Sequence, residues 1–218
     1  MIRLHNLTKT YRLDGVSKTI IKKANLTIPA MTSVGLLGRN GAGKSTLLRL
    51  IAGTQVPTSG EIIVEGSVSW PVGFAGSFHA DLTGAQNTRY VARIYGIDSD
   101  ELVAFTEDFA ELGAHFNLPL RTYSSGMISR LAFAVSMGIS FDFYLVDEIT
   151  AVGDAAFRKK SNDLFLSRMS SAGAIVVNHT MSVIRDLCTK AMVLDDGELR
   201  WFDNVDEAIK FHNEMMLR

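Results

Sequence analysis

Short aliphatic or β-branched runs alternate along this chain with longer stretches of helical periodicity. Apolar runs at 2–7, 20–28, 34–37, 61–64, 143–146, 174–177, 191–194 and 198–202 predict strands. Apolar positions at helical spacing predict helices over 44–52, 83–95, 99–112, 127–139, 154–169, 181–187 and 205–216. Tyr144-Leu145-Val146 and Ile175-Val176-Val177 are continuously apolar, as strands buried on both faces of a parallel sheet must be. Asp195-Asp196-Gly197 between the last two strands is a hairpin signal. The pattern predicts an α/β fold with antiparallel strands at the N-terminal edge and a helical insertion over about 83–140. It contains no internal repeat, low-complexity tract or long linker.

Composition narrows the class. The chain has 218 residues, 47% hydrophobic and 21% charged, which excludes wholesale disorder and suits one large domain or one with a small subdomain. The net charge is −1, and basic residues gather no more densely than Lys22-Lys23 or Arg158-Lys159-Lys160. That rules out a basic arm that wraps nucleic acid and leaves a local basic patch open. The longest stretch without Asp, Glu, Lys or Arg covers 169–184, 16 residues that include Asn178 and His179. A membrane span needs roughly 20 apolar residues, so the chain is not expected to cross a bilayer. Its first residues have no basic start followed by an apolar core, so no signal peptide is expected. Cys188 is the only cysteine; it forms no internal disulfide and reads as packing in a reducing compartment. The expectation is a soluble, cytosolic chain.

Chemistry enters at Gly38-Arg39-Asn40-Gly41-Ala42-Gly43-Lys44-Ser45, which fits the phosphate-loop pattern between an apolar strand and a helix. Glycines let backbone N–H groups turn toward phosphates, and the helix N-terminus adds a favourable dipole. Lys44 would reach the β- and γ-phosphates, and the Ser45 hydroxyl would coordinate magnesium. Downstream, the apolar strand 143–146 runs into Asp147-Glu148. A carboxylate at the end of a central strand is where a magnesium ligand is needed, and Asp147 fits that task through a bound water. Glu148 could then polarise an attacking water as general base. Tyr123-Ser124-Ser125-Gly126-Met127 opens a helix and reads by itself as an N-cap. Ala151-Val152-Gly153-Asp154 follows Glu148, and Asn178-His179 ends the next strand.

In that order, these motifs resemble an ABC-type ATPase, the nucleotide-binding subunit of membrane transporters, over essentially the whole chain. The resemblance implies a core at about 1–82 and 141–218 with a helical subdomain at about 83–140. It implies that Tyr11 stacks on adenine and that Gly38, Arg39, Asn40, Gly41, Ala42, Gly43, Lys44, Ser45 and Thr46 bind ATP. Ser124, Ser125 and Gly126 resemble the signature turn that meets the γ-phosphate of ATP held by a partner subunit. Asp147 matches the magnesium-associated Asp, Glu148 the catalytic base, Asp154 the loop at the dimer interface and His179 the switch histidine. Two chains would sandwich two ATP molecules head to tail, with Mg2+. Two positions depart from the family pattern. Tyr123, Ser125 and Met127 stand at the first, third and fifth places of the usual Leu-Ser-Gly-Gly-Gln signature. His79 stands where a magnesium-contacting Gln is usual, and can hydrogen-bond a metal-bound water or contact the membrane partner.

Trp70-Pro71-Val72-Gly73, Leu82-Thr83-Gly84, Tyr123-Ser124-Ser125-Gly126-Met127 and Ala151-Val152-Gly153-Asp154 together resemble bacterial polysaccharide exporters, the capsular group above all. That implies a permease homodimer as partner, with periplasmic accessory export proteins as open further partners, and a peripheral place on the cytoplasmic face of the inner membrane. No nucleic acid is expected as a partner. The segment around His79 and the helix 83–95 would form much of the docking groove. An added carbohydrate-binding domain, frequent in O-antigen exporters, is not expected after Arg218. The rivals are an exporter of O-antigen, teichoic acid or a small drug, a non-transport ABC ATPase acting on DNA or ribosomes, and a P-loop kinase or GTPase.

Overall fold

The structure is a computed structural model that describes every residue except 14, 74, 148–153 and 218. It divides into two compact units: Met1–Pro71 with Phe141–Glu148 and Met169–Arg218, and Val72–Ser140 with Ile149–Arg168. The α/β class read from the sequence is the class observed.

The first unit carries two sheets. Strands β1 (Ile2–Leu13), β2 (Val16–Ile28) and β4 (Ser59–Val64) form an antiparallel sheet in the order β2-β1-β4. Both hairpin strands outrun the apolar pattern. Beyond Leu7, residues 8–13 of β1 are half-buried or exposed, yet their backbones pair Thr10 with Thr19 and Leu13 with Val16. Backbone pairing there continues without an apolar stripe to announce it.

The second sheet has the order β5-β6-β7-β3-β8-β9, built from β3 (Ser33–Leu37), β5 (Val68–Pro71), β6 (Phe143–Asp147), β7 (Gly173–Val177), β8 (Lys190–Asp195) and β9 (Glu198–Phe202). All pairs are parallel except the β8–β9 hairpin. The sequence pattern gives no strand at 68–71. It is short, sits at the sheet edge and ends on Pro71, which cannot donate to a ladder. Its pairing with β6 shifts register, and the buried Ser69 hydroxyl stands in by accepting Leu145 N–H at 2.9 Å.

Helix α1 (Lys44–Ile51) buries Leu47, Leu48, Leu50 and Ile51 into a core shared with Ile2, Leu4, Ile21, Leu36, Leu145, Ile175 and Met192. Each such side chain withdrawn from water contributes roughly 1.5–3 kcal/mol. Helices α6 (Met181–Leu187) and α7 (Val205–Met216) complete the unit, and α7 packs on β3 and β8.

The second unit holds α2 (Gly84–Tyr95), α3 (Ser99–Ala110), α4 (Ser125–Gly138), nearly all of α5 (Ala155–Met169) and two single 3-10 turns at Gly113–Asn117 and Leu120–Thr122. Thr83 and Gln86 form a reciprocal capping box at the start of α2. The unit extends beyond the expected 83–140 to take in residues 72–82 and nearly all of α5. Phe157 of α5 meets Phe109 edge-on at 5.6 Å, and Lys160 pairs with Glu111 at 2.7 Å. Those contacts come from chain distant in sequence, and periodicity does not reveal them.

Candidate functional site

Three adjacent parallel strands, β6, β7 and β3, end on the same edge of the sheet. The chain leaves β3 into the loop Gly38–Gly43, leaves β6 at Asp147 and leaves β7 at Asn178-His179. An open α/β sheet presents its ligand crevice at this carboxyl edge. Register fixes the approach: Asp147 pairs with Val177, two residues before His179. The Asn178 side chain accepts Thr180 N–H at 2.8 Å, a local turn that closes around the exposed His179.

Two of the loop's glycines, Gly38 and Gly43, are required by both conformation and space. Gly38 has φ +151°, and a Cβ there would lie 2.5 Å from the Leu194 carbonyl oxygen. Gly43, at φ +111°, would place a Cβ 2.0 Å from Ile20 Cγ2. Gly43 also stands at the N-cap of α1, where no side chain caps the first-turn N–H groups and no acidic residue follows. Those donors and the helix dipole favour an anion. The Lys44 ammonium folds back over the loop, donating to the Gly38 carbonyl at 2.8 Å and the Arg39 carbonyl at 3.2 Å. Ser45 and Thr46 follow in the first turn, Ser45 exposed. Arg39, Asn40 and Gly41 form the exposed crest, and Ala42 N–H closes back on the Arg39 carbonyl at 3.1 Å.

Tyr11 of β1 stands beside the same helix. Its hydroxyl lies 3.4 Å from Thr46 Oγ1 and accepts from Gln55 Nε2 at 2.6 Å, and the residue is 40% exposed. The Thr46 contact, with Gln55 and nearby Lys9 and Arg49, lowers its pKa below the ordinary tyrosine value.

Oxygen donors at the strand edge suit a hard cation. Ser45 offers a hydroxyl and Asp147 a carboxylate, and among the described residues no cluster of three His, Cys, Asp or Glu could hold a metal alone. That set fits Mg2+, which binds through few protein ligands and takes its others from water and phosphate. Glu148, expected as the base, lies outside the described residues.

The second unit contains the remaining expected residues. Ser124 caps α4, accepting Met127 N–H at 3.3 Å, so Ser125 and Gly126 form its first turn. A Cβ on Gly126 would meet only Ser124 Oγ, at 3.9 Å, which leaves the turn open to close approach. Tyr123 is buried, and its hydroxyl donates to the His115 carbonyl at 2.6 Å. That accounts physically for an aromatic at position 123: the ring belongs to the unit's core. Asp154 N-caps α5 through Phe157 N–H at 3.0 Å and accepts from Arg130 at 2.8 Å. Both contacts hold its carboxyl below the usual aspartate range, the Phe157 N–H most strongly.

His79 is exposed and locked into its own loop. Its Nδ1 accepts Asp81 N–H at 3.2 Å, its backbone N–H donates to Asn87 Oδ1 at 2.8 Å, and the buried Asn87 amide returns a bond to its carbonyl at 3.1 Å. With Nδ1 accepting, the neutral ring carries its hydrogen on Nε2, which makes Nε2 a donor and no metal ligand in that form.

The comparisons with known proteins bear on this arrangement. The family model described as "ABC transporter" matches residues 21–151. The chain belongs to the ABC transporter family. Its relatives include the polysialic acid transport ATP-binding protein KpsT of Escherichia coli, 47% identical over 96% of this chain and 97% of KpsT. The ATP-binding protein BexA of Haemophilus influenzae is 42% identical, covering 98% of this chain and 99% of BexA. The capsule polysaccharide export ATP-binding protein CtrD of Neisseria meningitidis serogroup B is 41% identical, covering 99% and 100%. A solved dimer of the ATP-binding cassette MJ0796, in a post-hydrolysis state with ADP and Pi, superposes with a TM-score of 0.75 at 23% identity, over 92% of this chain and 98% of that one. That likeness establishes the fold.

His212 is a residue of this ABC chain that escapes sequence reasoning. His212 of α7 is 8% exposed, and its Nδ1 has no hydrogen-bond partner among the described residues. Burial depresses its pKa, the Asn213 side chain and the Gly38 backbone oppose that, and the charges of Lys44 and His179 reinforce it. It therefore sits beneath the phosphate loop. No motif contains it; only a buried polar position on an otherwise apolar helix face hints at it.

Proposed function

We propose that this ABC chain is the ATP-hydrolysing subunit that powers export of capsular polysaccharide across the bacterial inner membrane through a separate permease. The observation that carries the reading is the full-length identity of 41–47% to KpsT, BexA and CtrD. More distant polysaccharide exporters match less completely. The O-antigen export protein RfbB of Myxococcus xanthus is 40% identical, but the chain spans only 46% of it.

The working parts act as follows. The N–H groups of 38–45 and the Lys44 ammonium hold the ATP phosphates, with Tyr11 stacked on adenine. Ser45, and Asp147 through a bound water, would hold Mg2+, which would supply neutralising charge to the ATP phosphates. Glu148 takes a proton from the attacking water, and His179 donates to the γ-phosphate. In a head-to-tail pair, Ser124, Ser125 and Gly126 of one chain close on ATP held by the other, with the loop at Asp154 at the interface. Closure and reopening drive the permease.

The helical unit supplies the docking side. Tyr90, Ile94 and Tyr95 of α2 are 52%, 58% and 41% exposed, an apolar strip close in sequence to the His79 loop. Among the described residues no helix is long and apolar enough to cross a membrane, which fits a chain held on the cytoplasmic face by its permease.

Glu148→Gln tests the chemistry. The variant is expected to bind ATP, lose steady-state hydrolysis and accumulate as a dimer on size-exclusion chromatography with ATP. Retained turnover contradicts the role of Glu148, and full activity from a strictly monomeric chain contradicts the paired arrangement.

A further inference from the structure

The turn after α1 is fastened to the strand that carries Tyr11. Gly53, at φ +70°, reverses the chain, and the Arg49 carbonyl accepts Thr54 N–H at 3.0 Å and Gln55 N–H at 3.2 Å. Lys9 of β1 donates to the Val56 carbonyl at 2.7 Å, and Thr58 N–H to the Thr8 carbonyl at 2.8 Å. Within this frame Gln55 Nε2 donates to the Tyr11 hydroxyl at 2.6 Å, while the Lys9 ammonium stands 5.2 Å from the ring centroid.

Gln55 is costly where it stands. Its Oε1 is buried and has no hydrogen-bond partner among the described residues. A buried acceptor left unpaired opposes folding, so the side chain is held by what its other end does. That other end completes a chain of polar groups. Gln55 donates to the phenol oxygen, and that hydroxyl lies 3.4 Å from Thr46 Oγ1, in the helix turn beside Ser45.

We propose that Gln55 is a positioning residue of the adenine site, setting the plane of the Tyr11 ring relative to the phosphate loop. This rests on the reading that Tyr11 stacks on adenine. Tyr11 is on an exposed stretch of strand whose neighbours are polar, so packing alone does not fix its rotamer. A ring pinned at its hydroxyl loses less freedom when a base stacks on it, and that saving appears as affinity for the nucleoside part of the ligand. The phosphates, held by the loop, should not sense it.

The test compares dissociation constants of the full-length chain for mant-ATP and for inorganic tripolyphosphate in Gln55→Leu, Tyr11→Phe, the double variant and Tyr11→Ala, with thermal melting as a control. The expected result is about three- to tenfold weaker mant-ATP binding in Gln55→Leu and in Tyr11→Phe, and no further loss in the double variant. Tripolyphosphate affinity should stay level in all four, and Gln55→Leu should keep its kcat at saturating ATP while its KM rises. Equal weakening toward tripolyphosphate, or additive losses in the double variant, overturns the proposal. If Tyr11→Ala weakens mant-ATP but Gln55→Leu does not, Gln55 has no positioning role while the stacking reading stands. If Tyr11→Ala binds mant-ATP as the native chain does, the stacking reading itself falls, and the proposal with it.

Discussion

The Asp154 carboxylate receives Arg130 Nη2 at 2.8 Å, which ties the turn that opens α5 to α4, the helix whose first turn is Ser125-Gly126. The Arg130 guanidinium also covers the Phe157 ring at 4.5 Å. Two motifs that the sequence shows as separate are thereby one assembly within the helical unit. Because the Phe157 N–H lowers the Asp154 pKa more than burial raises it, Arg130→Ala should raise that pKa toward the ordinary aspartate value without reaching it. Carboxyl titration by NMR reads this directly. The contribution is present above the ordinary aspartate range and is lost as pH falls through the depressed value.

Lys44→Ala should leave the fold intact and reduce ATP hydrolysis at least about 100-fold, the scale of losing one preorganised donor to a developing charge. The lysine's bonds to the Gly38 and Arg39 carbonyls are within the loop itself, so circular dichroism and melting should change little. Turnover within a few-fold of the native chain contradicts its assignment.

Gly43→Ala should fail at the level of the loop. A Cβ 2.0 Å from Ile20 Cγ2, on a backbone at φ +111°, forces the loop or β2 to move. The combined overpacking and strain should cost about 2–4 kcal/mol and abolish nucleotide binding. Gly41→Ala is the contrast: at φ +75° with nothing within 4 Å of its Cβ, it carries conformational strain without the clash. Denaturant midpoints of the two variants separate these terms.

His212 gives a pH dependence with a definite sign. Its pKa in the folded chain is lowered from the ordinary 6.5, so the unfolded chain takes up the proton first as pH falls. Stability from this group is therefore level above about pH 6.5 and declines below it. His212→Gln should flatten that decline relative to the native chain, measured as denaturant midpoints between pH 7.5 and 5.5. A native chain with no steeper decline than the variant contradicts burial of a neutral imidazole beneath the loop.

Much of the fold is legible because burial imposes a pattern. Strands β3, β6 and β7 are apolar but for Ser33 and Asp147 at their ends, and the sequence shows them within a residue or so. The capped helices follow for the same reason, with Thr83 and Ser124 marking two starts. What the pattern misses depends on contacts across the chain. β5 is held by a Ser69 hydroxyl and a register shift, β1 runs on through polar residues, and α5 joins the helical unit through Phe157. At the site, loop and strand-end residues announce themselves by spacing. Gln55 and His212 do not, because each acts on a residue far away in sequence, Tyr11 in one case and Gly38 in the other.

The most direct measurement places Glu148→Gln in the source cells and compares surface with intracellular polysaccharide. The account predicts that long glycan disappears from the surface and accumulates inside, with the ATPase chain still present at its permease. Unchanged surface glycan, alongside a purified variant that no longer hydrolyses ATP, would contradict the assigned cargo.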